Sequence, residues 1–525
     1  MCDCGDQFDT TLGQRVEYQG HKGTVRFKGE LPGQSGAWIG VEWDSFTRGK
    51  HDGSHNGVSY FKTSHPTSGS FIRPARLNFG ISCVDAIQGR YGKVDGSTAG
   101  VDKDSIEEMK RKFNIPFVEM VGFEKVNSQQ SQFEKLKVVH LSGDPIKCAG
   151  EQGQLSKLCP LVIELILSDT LLNSWNAVGD ITVQFKYLTH LDLSNNKLIV
   201  PNEEDVGRLK AAFKPLSYLI LNSLEYTWQD ILTCANMWPC ITMLSVQANK
   251  ICELESPPLG VLSNLTILHL DLNPICDWTH VNKLGNLASL KVLYLGEVGI
   301  KNIFFPGEST TSLFPSLTEL YLQNNEINDW ISINELRKLA SLSSLHLQSN
   351  PLLQQEKAWD FVIARLKNLK KLNGTEIAPS ERRGCEYDYM KYYGREWLLA
   401  QNDPVMLREV SHQHPRYSEL IESHGSFSED DLAIRPSTLK SRLINVKIIY
   451  SNSGNVHEIQ KKIPRNMTVQ KLSGLVQKLI NTKGHVPSLQ AISAKAPDVK
   501  ILLEKDMQEL SFYSVEDGDS IAVNW

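Results

Sequence analysis

A chain of 525 residues carries roughly three or four domains at ~150 residues each. Lys plus Arg number 55 against 60 Asp plus Glu, a formal charge of -5, and that mild acidity excludes a whole-chain nucleic-acid binder, which carries a strong basic excess. Hydrophobic content of 41% is that of a globular protein, and the most apolar run, Leu158 to Leu167, contains Glu164 and falls far short of the ~20 residues that span a bilayer.

The opening Met1-Cys2-Asp3-Cys4-Gly5-Asp6 has neither the basic nor the apolar region of a signal peptide, so the reading is a soluble chain, cytoplasmic by default. Ten cysteines are scattered from Cys2 to Cys385 without a Cys-x-x-Cys pair. They are expected as reduced, structural thiols with no metal site.

Residues 1–80 hold 13 of the 36 glycines, with short alternations between them: Val16/Tyr18, Val25/Phe27 and Ile39/Val41/Trp43. Period-2 alternation broken by glycine predicts a small antiparallel β domain with prominent loops. From Gly13 to Leu77, nine Lys/Arg stand against five Asp/Glu. A basic module on an acidic chain points to an acidic partner. Residues 81–130 lack a clear period and are expected as a connector, with a short helix over Ser105–Phe113, where Ile106, Met109 and Phe113 share a face.

From Leu136 the sequence repeats. The frame Leu-x-x-Leu-x-Leu-x-x-Asn-x-Leu is complete at Leu188, Leu191, Leu193, Asn196 and Leu198. It recurs from Ile241, Leu265, Leu317 and Leu342, with Asn249, Asn273, Asn325 and Asn350. Weaker copies start at Leu136, Val162, Leu216 and Leu290, and Leu369 opens a truncated last one. These ten starts give a mean period of about 26, inside the range of leucine-rich repeats. Each repeat supplies a strand with inward leucines and an asparagine that bonds the backbone at the turn; neighbours must stack to cover their apolar faces.

After about residue 400 the repeat stops. Residues 401–440 carry Pro404, Pro415, Pro436, three histidines and the acidic Ser428-Glu429-Asp430-Asp431, and are expected as a linker. Beyond them Ile444/Val446/Ile448 and His457–Ile463 read as strands. Thr468 caps a helix with Val469, Leu472, Val476, Leu479 and Ile480 on one face, and Ile521–Val523 closes the order as a final strand. A ββαβ order in residues 441–525 predicts an α+β roll.

Four ordered blocks give the first domain its resemblance: Trp38-Ile39-Gly40-Val41-Glu42-Trp43-Asp44, Gly49-Lys50-His51-Asp52-Gly53, Gly57-Val58-Ser59-Tyr60-Phe61 and Gly69-Ser70-Phe71-Ile72-Arg73-Pro74. The domain resembles the CAP-Gly domains of microtubule-associated proteins. That resemblance implies binding of an acidic, aromatic-ended tail such as the end of α-tubulin. The implied site is Trp38, Gly49, Lys50, His51, Asp52, Gly53, Phe71 and Arg73. Lys50 would meet the carboxylates on a loop freed by Gly49 and Gly53, and Trp38 and Phe71 would wall the ring, with Arg73 and Arg76 adding positive potential. His51 stands where the family usually has Asn, so tail binding is expected to tighten below the ordinary histidine pKa of about 6.5.

The last domain resembles the ubiquitin-like fold. The sequence stops at Trp525 without a Gly-Gly pair, so docking rather than conjugation is expected of it. The fold class is therefore multidomain: a small β-barrel-like CAP-Gly domain over 1–80, a connector over 81–130, an α/β leucine-rich-repeat solenoid over 131–400, a linker over 401–440, and an α+β ubiquitin-like roll over 441–525. This order resembles the cofactor E family of tubulin-folding chaperones along almost the whole chain. The resemblance implies capture of α-tubulin, joining to β-tubulin held by cofactor D, entry of cofactor C, and dissociation of the heterodimer with cofactor B. It also implies a cytoplasmic, cytoskeleton-associated protein.

Strand alternation sends the residue between the second and third leucines of each repeat to the concave face. That column reads His140, Ile166, Asp192, Ile220, Ser245, His269, Tyr294, Tyr321, His346. Strands about 4.8 Å apart would join His269, Tyr294, Tyr321 and His346 in one ridge, expected to touch the tubulin body. Phosphate-loop, zinc-protease and nucleophile-elbow motifs are absent, so neither catalysis nor a cofactor is expected. The competing reading is an adaptor that links tubulin to ubiquitin or proteasome machinery through its two end domains.

Overall fold

The computed structural model describes residues 10–92, 131–307, 310–427, 432, 443–452, 455–480, 486–494 and 496–524. They fall into two compact units, Met1–Ser426 and Phe427–Trp525.

The first unit begins with an antiparallel sheet of four strands, Arg15–Tyr18, His21–Leu31, Gln34–Trp43 and Gly69–Ile72, in that order. Alternation sorts its side chains. Val16, Val25, Ile39, Val41 and Trp43 join Leu77 in a core, while Phe27, Gly40 and Phe71 pair across the opposite face. Trp43 Nε1 donates to Ser70 Oγ at 3.0 Å, which satisfies the one polar atom that ring buries.

Residues 81–92 are structured where a connector was expected. Ile81–Ser82 pairs in parallel with Ile146–Cys148, and Cys83–Tyr91 is a helix with a reciprocal Ser82/Asp85 capping box. Cys83, Val84, Ala86, Ile87 and Tyr91 are buried in the repeat core. Among the described residues the first repeat has no strand on its open side, and this helix packs into its core there; that need lies in the solenoid, outside the segment's own pattern. The helix expected over Ser105–Phe113 lies outside the described residues.

Ten parallel strands, from Val138–His140 to Lys371–Leu372, stack in sequence order, and the antiparallel Thr375–Glu376 ends the sheet. Each begins two residues after a repeat start. Their middle residues, Val139, Leu165, Leu191, Leu219 and onward, face a single continuous core. The asparagines stitch the turns: Asn249 Nδ2 donates to Leu221 O and Val246 O at 2.9 Å each, and its Oδ1 accepts from Leu224 N and Tyr226 N at 2.9 and 3.1 Å. A second ladder was not foreseen. Thr242, Thr266 and Thr318 hydroxyls each donate to the carbonyl of the preceding strand's entry residue, at 3.0, 2.9 and 3.1 Å. Four outer helices start with a capping side chain followed by tryptophan: Ser174-Trp175, Thr227-Trp228, Asp277-Trp278 and Asp329-Trp330.

The stretch expected as a linker from residue 401 continues the solenoid's closing cap. Helices Pro404–Gln413 and Tyr417–His424 pack on the 22-residue helix Pro379–Ala400. Pro404 starts its helix rather than breaking one, with Asp403 Oδ1 accepting from Val405 N at 2.8 Å. Buried Glu386 accepts from Arg416 at 2.6 Å and pairs with His424 at 2.8 Å, while Tyr389, Met390, Trp397, Val410, Tyr417 and Leu420 fill the interior.

The second unit has strands in the order Asn455–Pro464, Leu443–Asn452, Ser520–Asn524, Ser488–Ser493, Ala496–Leu502, with helix Val469–Ile480. Its inner face carries Ile444, Val446, Ile448, Leu489 and Ile521 against Leu472 and Val476. The order is ββαβββ, two strands more than the ββαβ expected. Ser488–Ser493 and Ala496–Leu502 are short and pair mainly with each other and with the closing strand, so tertiary pairing defines them more than local pattern does.

Candidate functional site

The Gly49–Gly53 loop is held against the last strand of the first sheet. Lys50 N donates to Gly69 O at 2.8 Å, and Gly69 N donates back to His51 O at 2.8 Å. The approach is too close for side chains: a Cβ on Gly49 would fall 2.4 Å from the Ser68 carbonyl carbon, and one on Gly69 would fall 2.5 Å from His51 O. Gly53, at φ +98°, would drive a Cβ to 2.0 Å from Phe61 O. These glycines fix the loop's path.

Side chains complete the loop. His51 Nδ1 accepts from Gly53 N at 3.0 Å, and Asp52 Oδ1 accepts from Ser54 N at 3.1 Å, two consecutive caps of Asx-turn spacing. The bonds from Ser54 hold the Asp52 carboxyl below its ordinary range. Burial holds the His51 imidazole below its usual value, against the opposing pull of Asp52. With Nδ1 accepting, the neutral ring has Nε2–H left to offer a ligand.

Beside the loop lies an aromatic cluster centred on Phe71. His51 stacks on it at 4.9 Å between centroids, and Phe27, Tyr60, Phe61 and His55 surround it at 5.5–6.1 Å, mostly edge to face. Gly40 makes the room, since a Cβ there would fall 2.4 Å from the Phe61 ring. Phe61 is buried, while Phe27, Tyr60 and Phe71 stay half-buried. Lys50 is exposed, and its side chain has no hydrogen bond or ion pair among the described residues. The loop and Phe71 therefore meet at one place.

Trp38 and Arg73 form a separate pair. The Arg73 guanidinium sits 3.9 Å over the Trp38 ring and donates to Ala37 O at 3.2 Å. Among the described residues no ring contact joins Trp38 to the Phe71 cluster, although strand alternation puts Trp38 on the same face of the sheet as Gly40. The phenylalanine and tyrosine rings that neighbour Phe71 are Phe27, Tyr60 and Phe61. Tyr60 and Phe61 stand inside a sequence block already singled out, and their role was legible only once the chain folded back on Gly40.

On the solenoid, His269, Tyr294, Tyr321 and His346 are register partners on successive strands. Their rings stack at 3.9, 4.1 and 4.0 Å with interplanar angles of 12–16°. Stacking consumes the ring faces, so edges and polar tips remain for a partner. Tyr321 Oη donates to Glu319 at 3.3 Å, and burial pushes its hydroxyl pKa up while lowering that of His346. A second stack, His190 on Tyr218 at 4.2 Å, lies two residues earlier along the strands and was missed. Among the described residues, no cluster of three or more His, Cys, Asp or Glu could hold a metal, and no helix is long and apolar enough to cross a membrane.

The CAP-Gly domain family matches residues 12–77. Tubulin-specific chaperone E of Mus musculus is 39% identical over 523 residues, covering 98% of each chain. Its counterpart in Bos taurus is 40% identical over 527 residues, again covering 98% of each chain. Among solved structures, the C-terminal ubiquitin-like domain of the mouse protein is 40% identical, covering 17% of this chain and 94% of its own, with a TM-score of 0.16.

Proposed function

The chain belongs to the tubulin-specific chaperone E family, and from that premise we propose that it is a tubulin-folding chaperone which grips α-tubulin by its acidic C-terminal tail. The observation that carries this reading is the meeting of the Gly49–Gly53 loop, which carries the exposed Lys50, with the half-buried rings around Phe71 through the His51 stack. A tail's carboxylates match the Lys50 ammonium and the His51 Nε2–H. Its terminal ring matches a seat whose walls present aromatic edges. The exposed edges of the His269–His346 stack then serve the tubulin body, and tyrosine suits such a contact because it brings large area at little entropic cost.

In this reading the chain works with cofactors B, C and D and with β-tubulin, in the cytoplasm, in assembling and separating the heterodimer. GTP chemistry stays with the client. The test uses the full chain. Lys50→Ala should weaken binding of a tail peptide tenfold or more, as one charge-assisted bond of about 1.5–3 kcal/mol is lost. Size-exclusion chromatography with tubulin dimer should give a soluble complex with one α-tubulin. Decoration of polymer without such a complex would favour the adaptor reading instead. Tyr294→Ala with Tyr321→Ala should reduce capture of tail-deleted α-tubulin, and unchanged capture would remove the stack from the contact.

A further inference from the structure

An open cavity of about 1000 Å³ lies between the chain around Phe304 and Gly307, the helix Trp330–Glu335 with its following turn Leu336–Lys338, and the helix Pro404–Gln413. It is far in sequence from the CAP-Gly loop. Phe304, Ile331 and Leu407 make its wall apolar, and Phe304 and Ile331 are 56% and 48% exposed.

Its charge is one-sided. Among the described lining residues Arg337, Lys338 and Arg408 stand against Glu335 alone. Lys338 is tied to Glu335 at 2.8 Å and to Phe305 O at 3.0 Å, and Arg337 reaches Glu419 at 3.2 Å. Arg408 is exposed and has no acceptor among the described residues. Behind the wall Arg365 is 2% exposed and meets no carboxylate among the described residues. It donates to Asn334 Oδ1 at 2.9 Å and Gln413 O at 2.7 Å, lies over the Trp330 and Tyr389 rings, and leaves its Nε unpartnered. Asn334 itself lines the cavity. Among the described residues, then, Lys338 and Arg337 are paired with Glu335 and Glu419, while Arg408 and the buried Arg365 meet no carboxylate, and the low-dielectric wall strengthens their field in the opening.

We propose that this cavity is a second peptide-docking site, independent of the seat at Phe71, which takes an acidic segment bearing apolar side chains from a partner protein. Carboxylates would meet Arg408 and Arg337 at the rim, and apolar side chains would cover Phe304, Ile331 and Leu407.

The test is fluorescence anisotropy of the full chain with a fluorescein-labelled peptide of alternating Glu and Leu. Its C-terminus is amidated, so it lacks the free end and terminal ring suited to Phe71. Saturable binding that weakens with salt is expected. Arg408→Glu should cost at least about tenfold in affinity, Arg408→Lys should restore most of it, and Lys50→Ala should leave it unchanged. A Phe304→Ser variant reports on the apolar wall should Arg408→Glu disturb folding, and it should also weaken binding. Absence of binding, equal binding by Arg408→Glu with equal binding by Phe304→Ser, or loss in Lys50→Ala would overturn the proposal. So would binding that emerges only when the chain's own Glu429, Asp430 and Asp431 are neutralised, since the occupant would then be internal.

Discussion

His51 offers the sharpest test of the tail seat. Replacing it by alanine removes the acceptor of the Gly53 N–H, 3.0 Å away, and the ring stacked at 4.9 Å on Phe71. The stranded donor costs about 1–3 kcal/mol and the lost ring pair about 0.5–1.5 kcal/mol. If about 2 kcal/mol of loop order must be restored on binding, affinity for an α-tubulin tail peptide falls roughly 30-fold. His51→Asn keeps an acceptor at Asx-turn spacing but not the stack, so about 1 kcal/mol and roughly fivefold should go. Isothermal titration of the full chain with the peptide measures both. If Asn is as damaging as Ala, or Ala is harmless, the loop account is wrong. Acid supplies a second arm. Because burial lowers the His51 pKa, the loop keeps its full stability above about pH 6.5 and loses it as pH falls below that value. Tail affinity should therefore be flat from pH 7.5 to 6.5, and any tightening by the imidazolium is displaced to lower pH than the sequence alone indicated.

Three further outcomes concern the scaffold. Asn249→Leu strands the Leu221 carbonyl and two N–H groups in the core, while Val246 O keeps the Asn273 Nδ2 donor at 3.0 Å, and should cost roughly 4 kcal/mol in urea unfolding; less than about 1 kcal/mol would show the asparagine ladder to be dispensable. Leu272 holds φ +59° at a half-exposed turn, so Leu272→Gly should raise stability by about 0.5–1 kcal/mol, and a clear loss would mean its side chain matters more than the backbone. His414 is buried beside Tyr389 and Arg365, and burial followed by the Arg365 charge pulls its pKa down to about 3. It stays neutral when folded, so stability is unaffected above pH 6.5 and falls by about 3 kcal/mol towards pH 4; His414→Gln should flatten that slope, and an unchanged slope would exonerate the histidine.

The repeats were legible because leucine spacing and strand geometry share one period: every start preceded a strand, and the His269–His346 column fell into register as counted. The caps were not. Cys83–Tyr91 and Pro404–His424 are short, and what makes them helices is the open end of the solenoid they cover. The Glu386–Arg416 pair joins a helix to the residue that precedes another, 30 positions apart, a relation no local pattern carries. Around Phe71, the loop glycines were legible from their spacing. Phe27 came from another strand, and Arg73 was drawn aside by Trp38, so cross-strand neighbours decided both.

The first sheet is fastened to the solenoid. Lys22 pairs with Asp169 at 2.9 Å, Asn173 donates to Gly13 O at 3.0 Å, and Ile81 N donates to Pro145 O at 2.8 Å. On the proposed function, a client caught by a tethered tail would thereby be leashed to a fixed neighbour instead of a free-swinging arm. Its effective concentration at any other patch on that body would reach the millimolar scale for a short flexible tether. Contacts too feeble to register alone would then multiply into lasting possession, and clipping the leash would release both at once.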